Sequence, residues 1–214
     1  MNESQIKAKY PADRFRPVLI SEVTRMSMGN YCVAGWDIHA RCMVRPLQSS
    51  GANWKLMPYP SRSSPSSNGT SVADRSVFAV GHLVNCVPSG RRNTVYPHAT
   101  EDLLLSAAPS LLESFDETTT YGLLLPATFQ SIPQLVWRPL IDGKYLPDGT
   151  TCSSLGGVRT ARRRVSFIED SFGKLRLQLQ DIDNVVYHLP ATLRLAATLF
   201  LARRRGCRAI LWSP

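Results

Sequence analysis

His98, Glu101 and Asp102 fall within the six residues of "PHATED", Pro97–Asp102. Imidazole and carboxylate groups at that spacing can hold a divalent metal. With Asp37 or His39 they would form the ligand set of a metal-dependent nuclease. Nothing in the spacing selects a metal, and a capped helix start explains Thr100, Glu101 and Asp102 equally well, with carboxylates at the positive end of the dipole. A second set lies in "YCVAGWDIHARCMVRPL", Tyr31–Leu47, where Cys42 follows His39 as a thiol–imidazole pair would require. Three residues apart on one strand, the two side chains face opposite ways, and a buried cysteine is usually a small hydrophobe. The Gly-rich "SSLGG" ahead of Arg159 lacks the Lys-Ser/Thr of a P-loop. No catalytic residue, metal site or cofactor is assigned on these grounds.

The stronger signal is basic. Twenty of the 25 basic residues are Arg, against 16 acidic, for a net charge of +9. Arginine suits bidentate phosphate contacts and stacking on bases, although a GC-rich coding sequence produces the same bias. The charge is uneven: residues 1–92 carry twelve basic and five acidic groups, 93–150 two and seven, and 151–214 eleven and four. Arg25, Arg41 and Arg45 belong to the first three expected strands, and Arg41 and Arg45, four apart, would share a face. Tyr31, Trp36 and Trp54 are close in sequence. A basic sheet face with aromatic platforms binds single strands, each stacked base contributing about 1–3 kcal/mol. Alternatively Trp36 is core and the arginines are solvated, or paired with Glu22 and Asp37. Arg159, Arg162, Arg163 and Arg164 in "RTARRRVSF" could track a phosphate backbone, or form a solvated loop or strand end. "RRRGCR", Arg203–Arg208, would touch an acidic partner or end a helix. The candidate nucleic-acid-binding residues are thus Arg25, Arg41, Arg45, Trp54, Arg159, Arg162, Arg163 and Arg164.

The elements that must position these residues are mostly strands. "VLISEVTRM" (18–26), "YCVAGWDI" (31–38) and "RCMVRPL" (41–47), joined by "SMGN" and "HA", predict an antiparallel meander. Pro46 would close its third strand or place it at an edge. A Ser-rich insertion at 60–76 interrupts the pattern, and "VFAVGHLVNCVPSG" (77–90) restores a strand. The period then changes. "YPHATEDLLLSAAPSLLESF" (96–115) reads as a helix capped by Thr100 and broken at Pro109. "TYGLLLPATFQSI" and "LVWRPLIDGKYL" read as strands, and "RRRVSFIED" with "KLRLQLQDI" as a hairpin across "SFG". In "KLRLQLQDI" leucines alternate with Arg176, Gln178 and Gln180, the mark of a half-buried strand with a polar outer face. "VVYHL" adds a strand, and the tail from Pro190 reads as a basic helix up to Gly206.

Five scattered cysteines without a CxxC pair fit neither a zinc site nor a disulfide scaffold. The N-terminal segment has no apolar core of a signal peptide, and no apolar run approaches the roughly 18 residues of a membrane span. A reducing, cytoplasmic setting without membrane contact is expected.

The run "VLISEVTRMSMGNYCVAGWDIHARCMVRPL", with "GANW" and "PHATEDL" after it, resembles a bacterial family of dual OB-fold proteins over residues 18–115. The matching positions are Gly35, Asp37, Arg41, Arg45, Pro46 and Leu47, then Gly51, Asn53 and Trp54, then His98, Glu101 and Asp102. The resemblance implies a binding role connected with nucleic acid, often beside defence or mobile-element genes. The family pattern continues beyond "LARRRGCRAILWSP", so the second barrel is expected to be shortened or atypical.

The expected fold is mainly β: two OB-like small barrels in tandem with one or two short helices. Residues 1–16 would be a flexible leader, 17–118 the first unit, and 119–214 the second, ending in a basic helix. The expected function is non-catalytic binding of single-stranded or structured RNA or DNA, in a defence or mobile-element system. A scaffold module docking an acidic protein partner and a metal-dependent nuclease are the alternatives.

Overall fold

β1 (Pro17–Arg25), β2 (Tyr31–Asp37) and β3 (Cys42–Leu47) form the expected antiparallel meander, with Leu19, Trp36 and Met43 in one cross-strand row. This computed structural model describes residues 1–25, 30–54, 77–90, 100–138, 140–141, 146–147, 150–153, 155–190 and 209–213. The Ser-rich insertion 60–76 and the expected C-terminal helix lie outside the described residues. Among the described residues the chain is mainly β, with three short α-helices, and it divides into two compact units, Met1–Ala127 and Thr128–Ser213. No described helix is long and apolar enough to cross a membrane.

In the first unit the strand order is β5-β3-β2-β1-β4-β6, with β4 at His82–Asn85, β5 at Asp102–Leu104 and β6 at Ser110–Ser114. β5 runs parallel to β3, and every other pairing in this sheet is antiparallel. Beyond β4 the chain meets the chain beyond β5: Pro88 bridges Leu105, the Ser89 amide donates to the Leu104 carbonyl at 2.8 Å, and the Ser106 amide to that of Val87 at 2.9 Å. Val18, Ile20, Val33, Val44, Val84 and Leu103 pack on the inner side with Cys86 and Phe78. Gly35 belongs to this crowding, since a Cβ there would lie 2.6 Å from Val18 Cγ1 and 2.8 Å from the Leu19 carbonyl oxygen.

Several expectations are corrected here. The leader is folded in part: α1 (Glu3–Lys9) begins with a reciprocal Asn2–Gln5 capping box and buries Ile6 completely. Lys9 and the Tyr10 hydroxyl hold Glu113 of β6. Of the helix expected over 96–115, residues 96–99 lie outside the described residues, and 100–115 hold β5 and β6 instead. Leu103, Leu104 and Leu105 are buried consecutively because the segment lies between β3 and the Pro88 segment, so no helical stripe develops. The apolar run from Tyr121, expected as a strand, is helical: α2 (Glu117–Leu124) is capped by Asp116, which accepts from the Thr119 amide at 2.7 Å. Thr120, Leu123, Leu124 and Ala127 are buried at i, i+3, i+4 and i+7, a helical period. α2 thus belongs to the first unit, which extends past the expected boundary at 118.

The second unit contains two three-stranded sheets. β7 (Thr128–Phe129), β8 (Gly156–Thr160) and β12 (Ala209–Ser213) form one, in order β12-β8-β7. The other has β10 (Leu175–Gln180) between β9 (Val165–Glu169) and β11 (Val186–Pro190), including the expected hairpin. "LVWR" (135–138) is not a strand: α3 (Ile132–Val136) starts at the Ser131 cap, and Trp137 ends it in the left-handed region. Leu135, Val158, Leu177 and Leu179 form the shared core. Leu135 fits so closely over Gly156 that a Cβ there would lie 2.0 Å from its Cδ1.

Candidate nucleic-acid interface

Asp37 organises the β2–β3 connection. It is fully buried, and its Oδ1 accepts from the His39 and Ala40 amides at 3.0 and 2.9 Å. Its Oδ2 accepts from Arg16 Nε at 2.5 Å. This carboxylate-nucleated turn is longer than "HA" alone and ends with Arg41 at φ 53°, the left-handed region. Arg41 is therefore in the turn, not on β3, and the face it was expected to share with Arg45 is not formed. Its exposed guanidinium pairs with Glu3 at 3.2 Å.

Arg45 does lie on β3, and its Nη1 donates to the buried carboxylate of Asp102 at 2.8 Å. Cys32 sits beside this pair, with its thiol pushed up by burial against the opposing pull of Arg45. Trp54 is half-buried. Its Nε1 donates to the Pro46 carbonyl at 3.0 Å, and its ring lies 5.3 Å from that of Phe78 against the inner core. Trp36 and Met43 alternate with the inner-core residues of β2 and β3, yet they are only 5% and 6% exposed. Tyr31 is buried in the inner core. The outer β2–β3 face thus offers no open aromatic platform. The backbone of Arg25 ends β1 opposite Tyr31; its side chain lies outside the described residues.

The metal-ligand set is not brought together as free groups. Asp37 holds Arg16, Asp102 holds Arg45, His39 Nε2 contacts the Tyr10 carbonyl oxygen at 2.8 Å, and His98 lies outside the described residues. The Glu101 carbonyl accepts the Arg45 amide at 2.8 Å, starting a strand ladder where a helix start was expected. Among the described residues no cluster of three His, Cys, Asp or Glu could hold a metal ion. Burial pushes the Cys42 thiol up and that of Cys86 to about 12, away from the thiolate a nucleophile needs.

The second unit is the basic one. It has thirteen Lys and Arg against six Asp and Glu, a net of +7, whereas the first has twelve against ten. Arg159 is half-buried on β8, and residues 162–164 form a single 3-10 turn joining β8 to β9. Arg163 is exposed there, and Arg164 donates to the Asp181 carbonyl. The side chain of Arg162 lies outside the described residues. Asp181 is fully buried and builds the β10–β11 turn by accepting from the Asp183 and Val185 amides at 3.0 and 3.1 Å. Burial, reinforced by Asp181, pushes the Tyr187 hydroxyl up to about 12.

One feature could not be read from the sequence. On the outer face of β9–β10–β11, Ser166, Gln178 and His188 stand in one cross-strand row. Ser166 Oγ donates to Gln178 Oε1 at 2.9 Å, and Gln178 Nε2 approaches His188 Nε2 at 3.4 Å. The alternation of "KLRLQLQ" gives the polar face; the register that brings Ser166 and His188 beside Gln178 is set by pairing. Near the β9–β10 turn Arg176 Nε donates to Asp170 at 2.8 Å. The Lys174 amide, with help from Arg176, holds the Asp170 carboxyl below its usual range.

No family model, curated protein or solved structure matches the chain.

Proposed function

We propose that the chain is a non-catalytic nucleic-acid-binding protein of two OB-like units, with its main anionic contact in the second. The strand order of the first unit supports the OB-like part of this reading. β3 and β5 are parallel, and the segment after β4 reaches that after β5, an arrangement compatible with a partly open five-stranded Greek-key barrel. The observation that carries the binding reading is charge: +7 of the net +9 belongs to the second unit, with Arg163 exposed on the β8–β9 turn. Counterion release from a phosphate backbone favours such a charge balance. In the first unit Arg41 and Arg45 already hold carboxylates, so they are secondary in this reading. The family resemblance favours a bacterial defence or mobile-element setting.

A second reading is a scaffold module docking an acidic protein. Phe172, 83% exposed on the β9–β10 turn beside a basic unit, favours it. The ratio of absorbance at 260 and 280 nm of the purified chain, followed by identification of what copurifies, separates the two. Copurifying nucleic acid and a band shift with labelled oligonucleotides at about 50 mM salt support the first. A stable protein partner with no retained nucleic acid supports the second.

A further inference from the structure

We infer that the outer face of β9–β10–β11 reads the bases of a single strand, with Gln178 as the residue that meets base edges. This rests on the nucleic-acid reading above and names the surface and the class of ligand. Alternation places Ser166 and Ile168 on β9, Arg176, Gln178 and Gln180 on β10, and Val186 and His188 on β11 on this face, opposite the core leucines 177 and 179. Each of the seven is half-buried or exposed.

The row Ser166–Gln178–His188 fixes the amide. Ser166 donates to its oxygen, and its nitrogen lies 3.4 Å from His188 Nε2. One amide hydrogen and one oxygen lone pair of Gln178 remain beyond these two contacts. A donor and an acceptor side by side match the edge of a base, the geometry by which Gln pairs with adenine. Ile168 and the exposed Val186 supply apolar surface for base faces.

Charge complementarity favours nucleic acid as the occupant. The ionisable groups near the face are Arg176, His188 and Asp170, whose carboxylate is engaged by Arg176, and the described residues of the unit carry seven Lys and Arg against four Asp and Glu. A flat sheet face meets unstacked bases, whereas in a duplex the base edges are reached only through the grooves.

The test is fluorescence anisotropy of the full chain with labelled single-stranded RNA and DNA homopolymers and with a duplex of equal length. Three proteins are compared: wild type, Gln178→Glu and Arg163→Glu. Gln178→Glu is isosteric at a half-exposed position and keeps an acceptor for Ser166. Circular dichroism melts check that both variants are folded. Wild type is expected to prefer single strands. Gln178→Glu should lose about tenfold or more on the homopolymers wild type prefers and flatten the order among bases, leaving a weak general binder. Arg163→Glu should weaken every strand alike and lower the salt slope. If wild type binds but Gln178→Glu keeps its affinity and base order, or if wild type prefers the duplex, this inference falls and the broader binding reading stands. If wild type binds no nucleic acid, both fall.

Discussion

Replacing Asp37 by Asn should destabilise the first unit strongly, because the structure gives Asp37 a folding role. The carboxylate is fully buried and accepts from three donors, Arg16 Nε and the amides of His39 and Ala40. Asparagine keeps an oxygen for the turn amides but sets an NH2 against Arg16 Nε, donor against donor. Breaking a buried ion pair costs about 3–5 kcal/mol. Arg16 retains 29% exposure of its side chain, so partial hydration brings the expected loss to roughly 2–3 kcal/mol. For a unit of this size that lowers the melting temperature by about 8–12 °C. Arg41→Ala is the control, because its pair with Glu3 is exposed and worth at most about 1 kcal/mol. Thermal melts followed by tryptophan fluorescence read the effect, since Trp36 neighbours Asp37 on β2 and Trp54 lies in the same unit. A melt of Asp37→Asn within about 2 °C of wild type would refute the reasoning. So would a rise in stability, the behaviour of a carboxylate kept uncompensated for a metal.

Other substitutions test the packing. Ile6→Ala should cost about 2–4 kcal/mol, since α1 buries this side chain completely; a loss below about 0.5 kcal/mol in urea melts would mean that the helix is not docked. Gly156→Ala should destabilise the second unit by about 1–3 kcal/mol, because the new methyl would sit 2.0 Å from Leu135 Cδ1 and that buried side chain must shift; near-wild-type hydrogen-exchange protection of β8 would contradict this. Glu22 Oε2 is buried with no hydrogen-bond partner among the described residues, and burial pushes its carboxyl up. A raised folded pKa adds stability that is complete below the unfolded value and lost as pH rises through the folded one. Glu22→Gln should therefore be more stable than wild type at pH 7, by about 1 kcal/mol, with the gain shrinking toward pH 4. A pH-independent difference would show that Glu22 is not the cause.

Strand alternation and turn residues carried much of the fold. The meander β1–β3 and the β9–β10 hairpin follow from "SMGN", "SFG" and period-two patterns. Short apolar runs failed as signals, because "LLL" at 103–105 runs from β5 into the Pro88 bridge, while "LLL" at 123–125 runs from α2 into a 3-10 turn. Helix and strand differ there in tertiary pairing, which composition does not carry. α1 has only seven residues, and docking of Ile6 supports it more than propensity does. Of the candidate site, the excess of arginine was legible, but its distribution over exposed and engaged positions was not. Arg45 meets Asp102 across 57 residues of sequence, and Arg41 is turned out of its strand by a carboxylate four residues earlier.

The most direct test of nucleic-acid binding through the second unit is the salt dependence of oligonucleotide affinity for the intact chain, wild type against Arg162→Glu/Arg163→Glu. Wild type should show a steep linear fall of log affinity with log salt. In the variant that slope should be shallower by roughly 0.7 for each phosphate it no longer neutralises, with weaker binding at every salt concentration. Salt-independent binding, identical slopes in the two proteins, or no binding by wild type at about 50 mM salt would contradict it.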